Sequence, residues 1–343
     1  MSMKIIVLAG GLSPERDVSL SSGSGITNAL LSLGHRAVLV DLFYGMPELP
    51  SDVDTVFLQA TPVEPYRVSQ AAPDREAIIA SRTEGESDHI GPNVSALCKA
   101  ADIVFLALHG AEGEDGRVQA WLDGLDVRYT GSDARGCALA MHKEAAKAAF
   151  REHGILTPPG ILLEKGQPCP TPRLPCVVKP LSGGSSLGIS IVREQAELAD
   201  ALAAAFALED SVLVEDYIEG RELSCGVLGE RALPLIEIIP NEGFYDYHNK
   251  YQPGAALEVS PAELDERTTA TMQAAALAAF HALRLKVYAR IDFILARDGS
   301  FYCLEANTLP GMTATSLLPQ EAQAAGLSYA ALCAQILALS LEK

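Results

Sequence analysis

Between Tyr288 and Asn307 two stretches of alternating side chains meet at Asp298-Gly299, a dipeptide that favours a tight hairpin turn. Period-two alternation lines up one face of each strand, so this segment commits the chain to an antiparallel pair with two distinct faces. With Asp298 and Gly299 as the two turn residues, Arg297 faces Ser300, Asp292 faces Glu305 and Arg290 faces Asn307. Arg290, Asp292, Glu305 and Asn307 then share one face. Carboxylates directly opposite one another repel unless something positive lies between them. Two carboxylates and an amide, with no imidazole or thiolate beside them, suit Mg²⁺, which also recruits phosphate oxygens. The competing reading is a solvated hairpin face on which Arg290 neutralises Asp292.

A second segment bears on the same choice. Cys176-Val-Val-Lys-Pro-Leu-Ser-Gly-Gly-Ser-Ser-Leu-Gly188 places Lys179 at the end of an apolar strand, ahead of a Gly/Ser loop. Backbone N–H groups and hydroxyls in such a loop cradle phosphate, and the lysine adds a point charge. It is no Walker A loop, which needs Gly-Lys-Ser/Thr opening a helix. An ordinary hairpin tip with an edge lysine accounts for the residues equally well. Phe244-Tyr-Asp-Tyr-His-Asn-Lys-Tyr251 carries three tyrosines and Lys250, and reads as a lid over a site or as cover for a core. His109 ends an apolar run where doubly wound sheets bind ligands, though a satisfied turn histidine fits too. Glu15, after the first strand, is a strand-end carboxylate or a helix-start one.

The rest of the chain supplies the frame. Lys4–Leu8, a helix over about Ser22–Leu33 and Ala37–Val40 read as strand, helix, strand, the beginning of a parallel doubly wound sheet. Residues 43–93 lose the pattern and read as an elaboration with no assigned role. Ile103–Leu108 is a further buried strand, and a boundary falls near residue 133. Ala138–His153 has helical periodicity, Cys176–Lys179 and Ile189–Val192 flank the Gly/Ser loop, and a helix covers Gln195–Leu208. Strands follow at Val212–Tyr217, Leu223–Leu228 and Pro234–Ile239, then helices over Pro261–Leu283 and from Ser328.

Composition excludes whole classes of partner. The 343 residues carry 26 Lys and Arg against 44 Asp and Glu, a net charge of −18. That field repels nucleic acid and anionic membrane surfaces. No apolar run approaches the roughly 20 residues of a membrane span. Seven cysteines, an odd number without a C-x-x-C pair, argue against a disulfide scaffold or structural zinc. The first apolar run has no small-residue cleavage site, so no leader is read and the cytoplasm is the expected compartment.

Six segments, in order, resemble the D-alanine–D-alanine ligases of the ATP-grasp superfamily. They are Gly10-Gly-Leu-Ser-Pro-Glu-Arg-Asp-Val-Ser19, Leu108-His-Gly-Ala-Glu-Gly-Glu-Asp-Gly116, Tyr129-Thr-Gly-Ser132, Lys179–Gly188, Tyr245–Tyr251 and Leu304-Glu-Ala-Asn-Thr-Leu-Pro-Gly-Met-Thr313. The resemblance implies an α/β ATP-grasp architecture. Residues 1–132 would be a Rossmann-like domain, 133–218 a central lid-bearing domain and 219–343 a C-terminal domain, with ATP gripped between the last two. It further implies that Lys143, Lys179 and Lys250 contact the nucleotide and its phosphates, Glu215 and Ile218 the adenine, and Glu222 the ribose. Asp292, Glu305 and Asn307 would hold two Mg²⁺ ions, or Mn²⁺. Glu15 would bind the ammonium of a first D-alanine with help from His109, and Ser185 and Tyr251 would join Glu15 in a hydrogen-bonded set. Ser316 and Leu317 would meet the carboxylate of a second D-alanine, and Arg290 would stabilise the charge that develops in acyl transfer. A homodimer is implied as well.

The family's pattern is broken at His142, where an acid is usual, and at Asp216, where a lysine is frequent. Alternatives within the same fold are a D-serine or D-lactate acceptor, or a catalytically silent ATP-binding relative. A dinucleotide-dependent dehydrogenase is a further class, but Gly10-Gly11-Leu-Ser-Pro-Glu15 lacks the G-x-G-x-x-G fingerprint.

Overall fold

The computed structural model describes residues 2–69, 73–182, 188–241 and 256–343. Three short apolar runs, β1 (Lys4–Ala9), β2 (Arg36–Asp41) and β3 (Ile103–Leu106), form a parallel sheet in the order β2-β1-β3. Burial of nearly all of β1 and all of β3 matches their unbroken apolar sequence, since a parallel sheet is covered on both faces. The crossover helix spans Arg16–Ser32 and starts earlier than the expected Ser22. Its serines disguise it, because they read as loop residues until their partners are known. Ser19 Oγ accepts the Gly10 N–H and donates to the Ala107 carbonyl, both at 2.8 Å, and so pins the helix to the strand ends.

Two antiparallel sheets follow. β4 (Gly160–Glu164), β5 (Cys176–Pro180), β6 (Ser190–Val192) and β7 (Ser211–Asp216) pair in the order β4-β7-β5-β6. β8 (Gly220–Leu228), β9 (Arg231–Ala232), β10 (Ile236–Pro240), β11 (Ala256–Val259), β12 (Tyr288–Ala296) and β13 (Phe301–Asn307) form the second, in the order β11-β10-β8-β12-β13 with β9 beside β8. The helix expected over Pro261–Leu283 covers Glu266–Ala282, because Asp265 caps it by accepting the Thr268 N–H at 2.9 Å. Ala138–His153, expected as one helix, is divided between Ala134–Met141 and Lys143–Glu152. His142 stands at the break and accepts the Ala145 N–H.

Packing does not follow chain order. Ala146 and Phe150, on the helix after the break, are buried with Leu223, Phe280 and Ile291 of the second antiparallel sheet and its helix. The last two helices, Leu317–Ala324 and Tyr329–Glu342, instead bury Leu318, Leu332 and Ile336 against Ile26 and Leu30 of the parallel layer. Among the described residues no single helix is long and apolar enough to cross a membrane. All seven cysteines are free, and six of them are buried.

The elaboration between residues 43 and 93 contains the short helices Asp54–Leu58 and Arg75–Ser81. Its middle part straps onto the first helix. Asn28 exchanges two hydrogen bonds with the Val63 backbone (2.8 and 2.9 Å), and the buried Asp17 accepts from the Tyr66 hydroxyl and from Ser69.

Candidate active site

The hairpin face is the anchor of the site. Asp292 lies opposite Glu305 and Arg290 opposite Asn307, as expected, but the turn is different. Ala296 donates to the Ser300 carbonyl and Gly299 to the Ala296 carbonyl, so Arg297, Asp298 and Gly299 make a three-residue loop with Gly299 left-handed at φ +85°. Arg297 therefore does not face Ser300. A bulge restores the register: Phe293 pairs with Cys303, Asp292 with Glu305, and Leu304 is the extra residue. The bulge also re-aims the strand. Cys303 points into the core, yet Leu304 and Glu305 both line the cleft on the opposite face.

Arg290 grips Asp292 with a fork, Nε to Oδ1 at 2.9 Å and Nη2 to Oδ2 at 2.8 Å. Ser224 Oγ donates to Oδ1 at 2.7 Å and Asn307 Nδ2 to Oδ2 at 2.9 Å. The contact imagined for a solvated hairpin is thus present, but on a buried carboxylate.

This face looks onto a cleft of about 880 Å³, its open mouth included, between the two antiparallel sheets. Val177, Ile189, Ile191, Ile218, Ile294 and Leu304 are among its walls, and Lys179, Glu215, Asp216, Glu222, Asp292 and Glu305 are among its polar groups. Apolar walls interrupted by a few polar groups suit a planar base and a charged tail. Lys179 and Lys147 both pair with the buried Glu215, Lys179 at 2.7 Å, and Lys147 also donates to the Pro158 carbonyl at 2.6 Å. Burial alone would raise the Glu215 pKa, but the two lysines outweigh it and hold the carboxyl below its ordinary value. Burial lowers the Lys147 and Lys143 pKa values, opposed by Glu215 for the first and by Glu305 for the second. Lys143 opens its helix and lines a small pocket with Glu114, Glu305 and Asn307.

The parallel layer contributes a second polar cluster. His109 approaches the Leu309 carbonyl through Nδ1 and Ser22 Oγ through Nε2, each at 2.9 Å. A carbonyl only accepts, so Nδ1 carries the proton and Nε2 accepts from the serine. Burial lowers the His109 pKa, which keeps the ring neutral. Ser22 in turn accepts the Met312 N–H at 3.2 Å. Glu15 is buried at the start of the first helix, close enough to His109 and Glu114 to act on both. Ser316 stands just before the helix Leu317–Ala324, and its hydroxyl accepts the Thr313 N–H at 3.0 Å instead of capping that helix, while the Leu317 side chain packs on Ile236 and Ile238. Ser185, Lys250 and Tyr251 lie outside the described residues.

Three residues had not been singled out from the sequence. Glu114 accepts the Gly110 N–H at 3.0 Å and the Leu309 N–H at 3.1 Å, and so ties the parallel layer to the loop after β13. Lys147 follows Lys143 by one helical turn, a spacing that could have marked it. Glu321 carries no sequence signal. Burial, reinforced by Glu15, raises the Glu114 pKa from 4.5 to about 8. Between those values the folded protein keeps a proton that the unfolded chain has released, so this group makes stability fall as pH rises from 4.5 to 8. Glu114→Gln is therefore expected to flatten that part of a melting-temperature profile against pH. An unchanged slope would contradict the assignment.

A parallel layer followed by two antiparallel sheets that close on a lysine-lined cleft defines an ATP-grasp fold. Family models described as D-ala D-ala ligase N-terminus and D-ala D-ala ligase C-terminus match residues 4–132 and 165–338. A D-alanine–D-alanine ligase of Pediococcus pentosaceus is 45% identical over 340 residues, which are 97% of this chain and 96% of that one. One of Nitratidesulfovibrio vulgaris is 42% identical over 343 residues, 99% and 98% of the two chains. The crystal structure of D-alanine–D-alanine ligase from Bacillus anthracis complexed with ATP aligns with a TM-score of 0.76 at 31% identity, covering 99% of this chain and 98% of that one. The chain belongs to the D-alanine–D-alanine ligase family.

Proposed function

We propose that this chain joins two D-alanine molecules into D-alanyl-D-alanine for peptidoglycan precursor synthesis, cleaving ATP to ADP and phosphate by way of D-alanyl phosphate. The observation that carries the reading is the convergence of Glu15, His109 and Glu114 from the parallel layer with Arg290 from β12, Glu114 lining the same small pocket as Lys143, Glu305 and Asn307.

In this reading Lys143, Lys179 and Lys250 balance the phosphates, Glu215 and Ile218 meet the base and Glu222 the ribose. Lys179 would turn from Glu215 to do so, leaving Lys147 to hold that carboxylate. Asp292, Glu305 and Asn307 are a hard oxygen donor set and would hold two Mg²⁺ ions, or Mn²⁺, whose chemistry is to neutralise phosphate oxygens. Glu15 binds the ammonium of the first D-alanine. The carboxylate of that first D-alanine attacks the γ-phosphorus and ADP leaves. The amine of the second D-alanine, seated by Ser316 and Leu317, attacks the acyl carbon and phosphate leaves. Arg290 faces the negative charge that develops in that step. His109 has both ring nitrogens committed within the protein, so it positions the loop after β13 and transfers no proton in the reaction. Ser185 and Tyr251 complete the set around Glu15 and keep water from the acyl phosphate. Division at residues 132 and 218, a homodimer and a cytoplasmic location belong to the same reading.

The test is phosphate release from Mg-ATP with D-alanine, L-alanine, or D-alanine mixed with D-serine or D-lactate, the products identified by mass. Release with D-alanine alone, yielding the dipeptide, is expected. A dominant mixed product would overturn the acceptor, and no release despite ATP binding would overturn the activity.

A further inference from the structure

Glu321, in the helix Leu317–Ala324, is completely buried although it is a carboxylic acid. Its Oε1 accepts the Gly226 N–H at 3.0 Å. Gly226 sits on β8 directly opposite Arg290 on β12, and its carbonyl accepts the Leu233 N–H at 2.7 Å. Both backbone groups of Gly226 thus point away from β12. That makes Gly226 and Arg290 a pair without ladder bonds, the kind in which side-chain positions approach most closely. A Cβ at residue 226 would lie 2.6 Å from Glu321 Oε2. The oxygen therefore occupies the missing side-chain position across from Arg290. Among the described residues it has no hydrogen-bond partner.

Asp292, meanwhile, is heavily engaged. Among the described residues each of its oxygens accepts two hydrogen bonds, one of them from Arg290. Anything else that binds this carboxylate displaces one of those donors.

We propose that Glu321 is a positioning residue for Arg290, a second carboxyl seat into which the guanidinium turns when Asp292 is engaged by a cation. The inference rests on the ligase reading above. The groups that act on Glu321 agree with it. Burial holds its pKa well above the ordinary value and Asp292 adds to that, while Arg290 and the Gly226 N–H pull it down. Glu321 also acts on the buried Cys225 thiol of β8, raising that pKa further. Taking charge off Asp292 and bringing Arg290 nearer both favour the ionised carboxyl that a guanidinium seat needs. A role limited to satisfying the Gly226 N–H would be met as well by glutamine.

That difference is the test. In Glu321→Gln the amide oxygen still accepts from Gly226, and an NH₂ group then faces Arg290. The expected result is a kcat for D-alanine-dependent phosphate release about tenfold lower, with the KM for ATP and the melting temperature unchanged. The Mg²⁺-dependent rise in melting temperature, measured with a non-hydrolysable ATP analogue, should also shrink. Glu321→Leu removes the acceptor as well, and should lose melting temperature together with the same kcat in its folded fraction. Wild-type kcat and an undiminished Mg²⁺ increment in Glu321→Gln would overturn the proposal, as would wild-type kcat in folded Glu321→Leu. If the wild-type protein releases no phosphate with D-alanine, the ligase reading fails, and the Mg²⁺ increment alone decides the role of Glu321.

Discussion

Glu305→Gln is expected to lower D-alanine-dependent ATP cleavage about 100-fold or more, because a divalent ion that loses a carboxylate ligand forfeits several kcal/mol of charge stabilisation. Glutamine keeps the shape of the side chain, and Glu305 is only half-buried, so the melting temperature should hold. The prediction depends on the bulge at Leu304, which turns Glu305 to the cleft although Cys303, two residues before, faces the core. Lys143, which Glu305 stabilises in its charged form, becomes harder to protonate in the variant. A rise in Mg²⁺ requirement at high ATP should therefore accompany the lower rate. Turnover near wild type with normal Mg²⁺ dependence would remove the metal site from this hairpin.

Glu215→Gln should act on stability first. The carboxylate is the shared partner of Lys147 and Lys179, all three side chains are buried, and removal of one member leaves uncompensated charge in a medium of low dielectric. Breaking a buried pair in this way costs about 3–5 kcal/mol. The pH dependence gives the cause away. Burial already lowers the Lys147 pKa against the pull of Glu215, so the variant should bind that proton still more weakly. Its destabilisation should then ease as pH rises and Lys147 loses its proton. Chemical unfolding at pH 7 and pH 9.5 would measure this, and a loss independent of pH would point to packing instead of charge. Wild-type Glu215 gives the opposite limb: its lowered pKa supplies stability that is complete above the ordinary carboxylate pKa and is lost as pH falls through the folded value.

Much of the frame was legible because it is written in local periodicity. β1, β3, β5 and β7 are short apolar runs bounded by glycine, proline or charge, and they fold nearly where they were expected. The first helix began too late in the sequence reading because its serines gain their partners only across the fold, Ser19 at Gly10 and Ala107 and Ser22 at His109. Ala138–His153 reads as one helix because alanine conceals a break that His142 caps. Residues 43–93 showed no pattern for a similar reason, since Asp17 and Asn28 hold their middle part from another element.

The hairpin separates the two kinds of information most sharply. Asp292 opposite Glu305 followed from a two-residue turn, yet the turn has three residues and the register survives only because Leu304 bulges by one. From its own residues the sequence marked candidate groups for chemistry: the paired carboxylates, the strand-end lysine, the histidine closing an apolar run. It also determined the family, through six short segments in order, because side-chain type and close spacing are local properties of the chain. Tertiary structure alone decided the charge states and the partners. Lys147 reaches Glu215 across 68 positions, Glu114 reaches the Leu309 N–H across 195, and Glu321 reaches Gly226 across 95. Burial and long-range pairing set each of those pKa values, and neither exists until the parallel layer, the two sheets and the last helices have closed around the cleft.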